Sequence, residues 1–464
     1  MAGGGWDGAE AGPSTAAKSG QSSVPDVPGV LVEERRAESL RNLVARICDL
    51  QHRRFPGAQP VSFTKASLDL LKTEDFWVCE KSDGQRVLML IAFNKVQSQQ
   101  EVYLIDRKNN YRQQHQSLFF PYHEIPPSTQ ALRTFEMAIV GDNPTFGVRK
   151  DTLLDGELVW DEGRDGRRRL RLLLFDCIVL DGEKMASRSL SKRYGRLRDR
   201  LFPPYARFMR SNPMAARDAP FEIKIKNMDL AYGIGSVLTT RIPNLEHGND
   251  GLIFTCINSG YVSGTDPKII KWKPPSENTI DFKLRLRFPP DLSTDPRGNL
   301  CNYRAKPFFQ LDEFMGGGQY RYFDWLYVED EEWERMKASD IQFDDRVVEC
   351  FWDPLNGPLL QGEQDGGKRG PAWRLHRIRD DKEDGNHYSI VRKILQSIEE
   401  GVEEDELLAE EGAIRASWKS QEREALRANN DGGGHAQASH AVSAKRMGPN
   451  PPMRGTPPEW ILRR

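Results

Sequence analysis

The alternation of apolar and polar positions divides the chain into two strand-rich regions joined by a proline-containing link. From Glu38 to Leu50, Leu40, Leu43, Val44, Ile47 and Leu50 recur at helical spacing, which predicts a short amphipathic helix. The runs "FWVCEK" and "VLMLIAF" flank the polar stretch "EKSDGQR", and "EVYLIDR" follows the turn "NKVQSQQ", so this part reads as a β-meander. "TLLDGELVW" and "RLRLLLFDCIVL" predict a hairpin around "EGRDGRR", with Asp165-Gly166 as its turn signal. Tyr194, Leu197 and Leu201 share one helix face, and Pro203-Pro204 is expected to stop that helix. Strands resume at "PFEIKIKNM", "GLIFTCI" and "KIIKWK".

After "KPPSEN" the pattern changes. "TIDFKLRLRF", "YRYFDWLYV", "RVVECFWD" and "WRLHRIRD" are short strands separated by polar connections, among them "MGGGQ", read as a linker. This predicts a small β-barrel domain, followed by an amphipathic helix from Tyr388 to Ile398. Residues 1–30 are rich in Gly, Ala, Ser and Pro, and the segment 402–464 runs from an acidic stretch into Gly and Pro; both are expected to be disordered. The folded parts are therefore 31–275 and 276–401.

Bulk properties narrow the classes further. A chain of 464 residues exceeds one ordinary core, in keeping with two domains. It has no apolar run long enough to span a bilayer and no signal peptide, so no membrane association is expected. The net charge of −2 balances 66 basic against 68 acidic residues, so only local clusters can argue for nucleic acid. Six scattered cysteines without a C-x-x-C pair suggest reduced thiols rather than disulfides or a zinc site.

Lys81 stands at a strand end, with Asp83, Gly84 and Arg86 beside it. A lysine is a nucleophile only when neutral, and nearby positive charge, such as Arg86, lowers the pH at which it loses its proton. Covalent lysine catalysis means a Schiff base or attack on phosphorus, and the second needs carboxylates for a divalent metal and cations for phosphate oxygens. Those partners follow at later strand ends: Asp155 and Glu157 in "LLDGELV", Asp250 in "HGNDGLIF", and Lys271 and Lys273 in "IIKWKP". Lys271 and Lys273 are two apart and share a strand face. In the barrel, "RIRDDK" supplies Arg377, Arg379, Asp381 and Lys382, a basic patch suited to a lid over outer phosphates.

The ordered set "EKSDGQR", "DGELV", "LLFDCIVLDG", "NDGLIF", "IKWKP" and "RIRDDK" resembles the covalent nucleotidyltransferase superfamily of capping enzymes and nucleic-acid ligases. "FPGAQPVSF", "YLIDRKNNY", "PFEIKIKNM" and "KWKPPSENTIDFKL" resemble the fungal type of GTP:mRNA guanylyltransferase most closely, over roughly residues 35–400. The resemblance implies an α+β fold: a nucleotidyltransferase domain of antiparallel sheets with helices at 31–275, then a C-terminal OB-fold β-barrel at 276–401. It implies that Lys81 takes GMP from GTP as a lysyl phosphoramidate and passes it to a 5′-diphosphate RNA end, with Asp83, Gly84 and Arg86 supporting the lysine loop. Arg107 and Glu157 would contact ribose, Phe175 would stack on guanine, and Asp250 would position the metal and the lysine. Lys271 and Lys273 would hold the α-phosphate, and Arg377, Arg379, Asp381 and Lys382 the departing pyrophosphate. Lys226 is the choice for guanine O6, with Lys224 as its rival. Mg²⁺ or Mn²⁺, held through Glu157 and Asp250, a separate RNA 5′-triphosphatase subunit, the phosphorylated C-terminal tail of RNA polymerase II and a nuclear location are implied as well.

Plainer readings stand beside these. A single K-x-D-G is a surface turn by base rate, Phe175 alone reads as core, and His247 and His387 read as polar loop residues. An adenylate-transferring polynucleotide ligase is the alternative enzyme, and an inactive scaffold that binds RNA or the polymerase is the alternative of another class. The hairpin offers an internal test. A two-residue turn at Asp165-Gly166 would set Glu157 opposite Leu174 and turn Phe175 to the other face, so shared nucleotide contacts predict an odd-length loop or a bulge between Trp160 and Leu172.

Overall fold

In the computed structural model, which describes residues 24–121, 151–163, 165–339, 341–359 and 369–432, the run "VLMLIAF" fails to alternate because both faces of its strand are covered. Leu88, Leu90 and Ala92 face the helix Glu34–Ile47, while Val87, Met89 and Ile91 face a second core built with Leu197, Leu201 and Tyr205. This strand, Gln85–Asn94, is central in a sheet ordered Val30–Leu31, Tyr111–Gln113, Gln99–Ile105, Gln85–Asn94, Thr152–Glu162, Arg168–Leu180, Glu222–Ile225. Neighbours along that path are antiparallel except the last pair.

A second sheet is ordered Asp229–Leu230, Phe76–Ser82, Asn249–Cys256, Gly264–Trp272, Ala58–Ser62. Phe76, Val78, Leu252, Phe254 and Trp272 point into its own core. The opposite face, carrying Cys79, Lys81, Ile253 and Lys271, looks across a cavity at the strand ends of the first sheet.

The third body is a closed barrel, ordered Thr279–Arg287, Phe308–Gly316, Gln319–Leu326, Ala372–Ile378, Val347–Asp353 and back to the first strand. Phe282 stacks on Phe323 at 4.6 Å inside it, and Trp373 meets Phe282 edge-on at 5.6 Å. The α+β architecture expected from the sequence is present, antiparallel sheets with helices followed by a β-barrel.

Three local expectations are corrected. Pro203-Pro204 does not end a helix: the helix Leu190–Arg196 passes through a wide turn, Leu197–Leu201, into Phe202–Ser211, whose first turn holds the two prolines. The wide turn sets these two residues, which donate no N–H, at the junction of the two helical segments. "MGGGQ" is no linker but a tight turn between paired barrel strands, with Gly316, Gly317 and Gly318 all at positive φ (94°, 58° and 74°). The segment from 402 is not disordered throughout: the helices Glu404–Ala409 and Glu411–Trp418 bury Leu407 and Ile414 in the core of the second sheet. Its acidic residues hid two apolar anchors. Residues 1–23 and those beyond 432, also expected to lack structure, lie outside the described residues. Two units divide the chain at Trp418, and the second holds the helix Gln421–Gly432 among its described residues.

Candidate active site

The apolar face of Gln85–Asn94 that covers the N-terminal helix gives way, at the strand's start, to Arg86; the adjacent strand likewise passes from Leu153 to Asp155 and Glu157. Polar residues therefore gather where the first sheet meets the cavity, whose volume is about 440 Å³, within the range of small-molecule sites. Lys81, Asp83, Gly84, Arg86, Arg107, Glu157, Phe175, Lys226 and Lys271 line it.

Lys81 reaches its partner through a strand irregularity. Between the pairs Asn249–Ser82 and Leu252–Glu80, two residues, Asp250 and Gly251, oppose the single residue Lys81. That extra residue swings Asp250 toward the lysine, and Lys81 Nζ donates to Asp250 Oδ1 at 2.5 Å. Gly251 has φ +139° and lies so close to the next strand that a Cβ would sit 2.1 Å from the Trp272 carbonyl oxygen.

Arg86 directs its guanidinium to partners other than Lys81. Its Nε and Nη2 donate to Asp155 at 3.0 and 2.5 Å, and Nη1 donates to the Ala58 carbonyl of the second sheet. Tyr261 donates its hydroxyl proton to the same Asp155 at 2.5 Å, so these three side chains tie the two sheets together beneath the cavity. Burial opposes the Arg86 charge, but Asp155 and its neighbours outweigh that and raise the guanidinium's pKa further. Asp83 helps shape the loop through its backbone, whose N–H donates to the Gly248 carbonyl at 2.8 Å. A Cβ on Gly84 would meet the Leu158 carbonyl oxygen at 2.4 Å, so the neighbouring strand already requires glycine there, whatever occupies the cavity.

The hairpin has the odd-length loop anticipated from its register. Glu157 pairs with Leu173 and Glu162 with Arg168, which leaves five residues, 163–167, in the loop. A register shift between Asp155 and Gly156 leaves Phe175 as the extra residue of its strand, and Phe175 and Glu157 line one cavity. Arg86 lies 5.8 Å from the Phe175 ring centre. Burial pushes the Glu157 carboxyl up, against the pull of Lys226, Lys81, Arg86 and Arg107.

Arg107 and Lys271 face the cavity with no carboxylate in ion-pair range among the described residues. Burial, with the charges of Lys81 and Arg107, holds the Lys271 ammonium below the usual lysine range. Lys273 lies just past the strand end and does not line the cavity. Lys226 is separated from its rival by position: it is 4% exposed at the cavity wall, whereas Lys224 is solvent-exposed and faces elsewhere.

Sequence reasoning missed what surrounds Lys226. Its Nζ donates to Ser82 Oγ at 2.8 Å and lies 3.5 Å from Glu80 Oε1 and 3.7 Å from Glu157 Oε2. Burial disfavours the ammonium, yet the groups around it, Cys79, Glu80 and Glu157, more than compensate and raise its pKa. His247, read as loop filler, is buried, with Nδ1 2.9 Å from Asp161 Oδ1 and Nε2 3.4 Å from Ser82 Oγ. The only sequence hint was period two: Glu80 and Ser82 flank Lys81 and must face away from it.

The barrel residues stand apart. Arg377 Nε donates to Glu349 at 2.7 Å; Arg379 bonds Asp381, Asp281 and Glu349; Lys382 pairs with Asp281. None of the four lines the cavity. No cluster of three or more metal-ligating side chains occurs among the described residues. Glu157 lines the cavity, and Asp250, bonded to Lys81, is not in its lining; both are carboxylate donors of the kind a hard cation takes alongside phosphate oxygens and water.

Residues 23–275 match the family described as mRNA capping enzyme, catalytic domain, and residues 277–408 match mRNA capping enzyme, C-terminal domain. The chain is 37% identical to the mRNA-capping enzyme subunit alpha of Schizosaccharomyces pombe, over 86% of this chain and 90% of that protein. It is 38% identical to the Neurospora crassa protein of the same name, over 84% and 93%, and 32% identical to that of Saccharomyces cerevisiae, over 94% and 96%.

Proposed function

Because this chain belongs to the mRNA capping enzyme family, we propose that the residues around Lys81 divide the work of its guanylyltransferase reaction as follows. The protein is a nucleotidyltransferase: it moves GMP from GTP, through a covalent lysyl–GMP, to the 5′-diphosphate end of RNA. The observation that carries the assignment is Lys81 Nζ at 2.5 Å from Asp250, on a cavity wall shared with the cations Arg107 and Lys271.

Lys81 Nζ gives up a proton, which Asp250 Oδ1 is positioned to take, and attacks the α-phosphorus. A P–N bond forms as the bond to pyrophosphate breaks. In the second step an oxygen of the RNA diphosphate attacks the same phosphorus, the P–N bond breaks, and the amine recovers a proton. Arg107 and Lys271 hold phosphate charge, which preorganised cations stabilise strongly in a partly dry site. Mg²⁺ or Mn²⁺, when bound through Glu157 and Asp250, would supply further neutralisation of that charge. Glu157 and Arg107 meet the ribose and Phe175 the base. Asp83, Gly84 and Arg86 hold the loop, and Lys273, Arg377, Arg379, Asp381 and Lys382 act once the barrel approaches.

Base choice follows from Lys226. A lysine kept charged can only donate, so it accepts a purine with an acceptor at C6, as in guanine, and leaves the adenine amino group facing a second donor. This favours GTP over the ATP of a ligase. Incubation with α-labelled GTP and Mg²⁺ or Mn²⁺ should yield an acid-labile labelled protein, and Lys81→Ala should abolish it. Preferential labelling by ATP, or labelled Lys81→Ala protein, would overturn the assignment.

The relatives are named subunit alpha, and the partner we propose is a separate RNA 5′-triphosphatase. For the phosphorylated tail of RNA polymerase II, the groove lined by Arg188, Lys192, Arg196 and Arg200, with Glu183 and Asp199 beside them, carries a net positive charge. Charge reversal at Arg188 and Lys192 should weaken binding of a phosphoserine tail peptide; undiminished binding would remove this groove from consideration. A nuclear location is part of the same proposal, to be checked by imaging a tagged full-length protein. No described helix is long and apolar enough to cross a membrane.

A further inference from the structure

The segment carrying His247 is pinned from both sides. Glu162 N–H donates to the Glu246 carbonyl at 2.7 Å, and Asp83 N–H donates to the Gly248 carbonyl at 2.8 Å. One of these contacts belongs to the hairpin of the first sheet and the other to the lysine loop, so the imidazole between them is fixed relative to both. Its side chain is 7% exposed and that of Asp161 3%. Asp161 is in turn paired with Arg171, which also reaches Glu222 at 3.0 Å.

These contacts have a direction. Asp161 accepts from Nδ1 at 2.9 Å, and Nε2 lies 3.4 Å from Ser82 Oγ and 3.8 Å from Glu80 Oε1; in the neutral tautomer with its proton on Nδ1, Nε2 is an acceptor. In that tautomer Nε2 accepts the single hydroxyl proton of Ser82. The Ser82 oxygen then presents lone pairs to Lys226, which donates to it at 2.8 Å. Without the imidazole the hydroxyl proton would be free to turn toward Glu80, and Lys226 would lose its one neutral anchor to the two carboxylates beside it.

We propose that His247 is a positioning residue which, through Ser82, holds Lys226 in the place where it reads the purine C6 substituent. The proposal rests on the base role assigned above to Lys226. It concerns specificity: Ser82 bonds Lys226 and lies beside His247, whereas Lys81 is bonded to Asp250.

The test compares GTP with 2,6-diaminopurine riboside triphosphate, which carries an amino group where guanine has O6 and a bare N1 where guanine has N1–H, and keeps the 2-amino group. The readout is the ratio of kcat/KM for protein labelling by the two nucleotides, in which any loss of folded protein cancels. His247→Leu should lower that ratio roughly tenfold, as partners of a binding residue commonly do, and His247→Gln, which keeps one acceptor, should lower it less. Ser82→Ala should match His247→Leu, and the double variant should lose little more, since both act through one contact. An unchanged ratio in His247→Leu, or additive losses in the double variant, would overturn the proposal. Lys226→Met should erase the discrimination; if it does not while GTP still labels the protein, the base role of Lys226 fails and the proposal falls with it. Absence of any GTP labelling of the unaltered protein would instead overturn the guanylyltransferase assignment itself.

Discussion

Arg86 illustrates how a charge close to a lysine in sequence can be engaged elsewhere in the fold. Five positions after Lys81 it looked like a source of positive charge for the nucleophile, but strand pairing turns its guanidinium onto Asp155, with Ala58 and Tyr261 completing the tie. Removing one partner of such a buried pair leaves the other charge stranded, which costs about 3–5 kcal/mol. Arg86→Ala should therefore lose about that much in urea unfolding, while Lys81→Ala, whose ion pair is partly exposed, should lose under about 1 kcal/mol. Equal losses would contradict this division between scaffold and chemistry. Lys271 makes a different prediction. Its ammonium is held low by burial and by Lys81 and Arg107, and triphosphate at the cavity reverses that electrostatic balance. GTP binding in alkaline buffer should thus take up protons, seen as calorimetric heats that change with the buffer's ionisation enthalpy; identical heats would exclude it. The nucleophile, its Asp250 partner and the cavity cations were legible as residues. Ser82, Glu80 and His247 were not, because Lys226, the partner of Ser82 and Glu80, lies 144 positions from Ser82, and His247 lies 165 positions from the same serine; only the folded strands bring them near.

Among the elements, the bulge at Asp250–Gly251 has the most direct consequence for chemistry. Its glycine combines positive φ with a backbone approach that admits no side chain. Gly251→Ala should cost about 1–3 kcal/mol from the backbone conformation alone. The clash with Trp272 must also displace Asp250, so labelling by GTP should fall more than the fraction of unfolded protein explains. A variant whose activity tracks its folded fraction would show that Asp250 placement does not depend on the bulge. "NDG" could be read as a turn signal from the sequence, but one extra residue against Lys81 is a register property that appears only when both strands are paired. The hairpin was easier, since the requirement that Glu157 and Phe175 share a cavity excluded a two-residue turn in advance. The C-terminal helices were harder. Charge composition in "EEDELLAEE" outweighs the spacing of two or three apolar residues in any window, yet Leu407 is fully buried. Leu407→Ala should cost about 2–5 kcal/mol, measured by denaturant unfolding, if the segment is part of the core; a loss near zero would return it to the status of a tail.

At the scale of the whole molecule, the barrel is joined to the sheets by two adjacent chain passages. Trp272 Nε1 donates to the Val402 carbonyl at 2.8 Å, Ser276 bonds Glu403 at 3.0 and 3.1 Å, and a Cβ on Gly401 would lie 2.4 Å from Pro275. Domain order and the barrel were legible from strand spacing and the "KPPSEN" break, but this return of the chain was not, because it joins residues more than a hundred positions apart. The barrel cations are occupied by Glu349 and Asp281 and away from the cavity, so GTP can first meet Lys81, Arg107 and Lys271 without them. Arg377 separates these steps most cleanly, since its side chain is 60% exposed and its removal should disturb the fold little. Arg377→Ala should leave the Kd for GTP within about twofold but slow lysyl–GMP formation by about 10²-fold, the loss typical of a charge-stabilising donor. Equilibrium binding and single-turnover labelling measure the two quantities separately. A parallel fall in affinity would mean that the barrel is already closed on the nucleotide when it binds, and unchanged labelling would mean that Arg377 stays with Glu349 throughout the reaction.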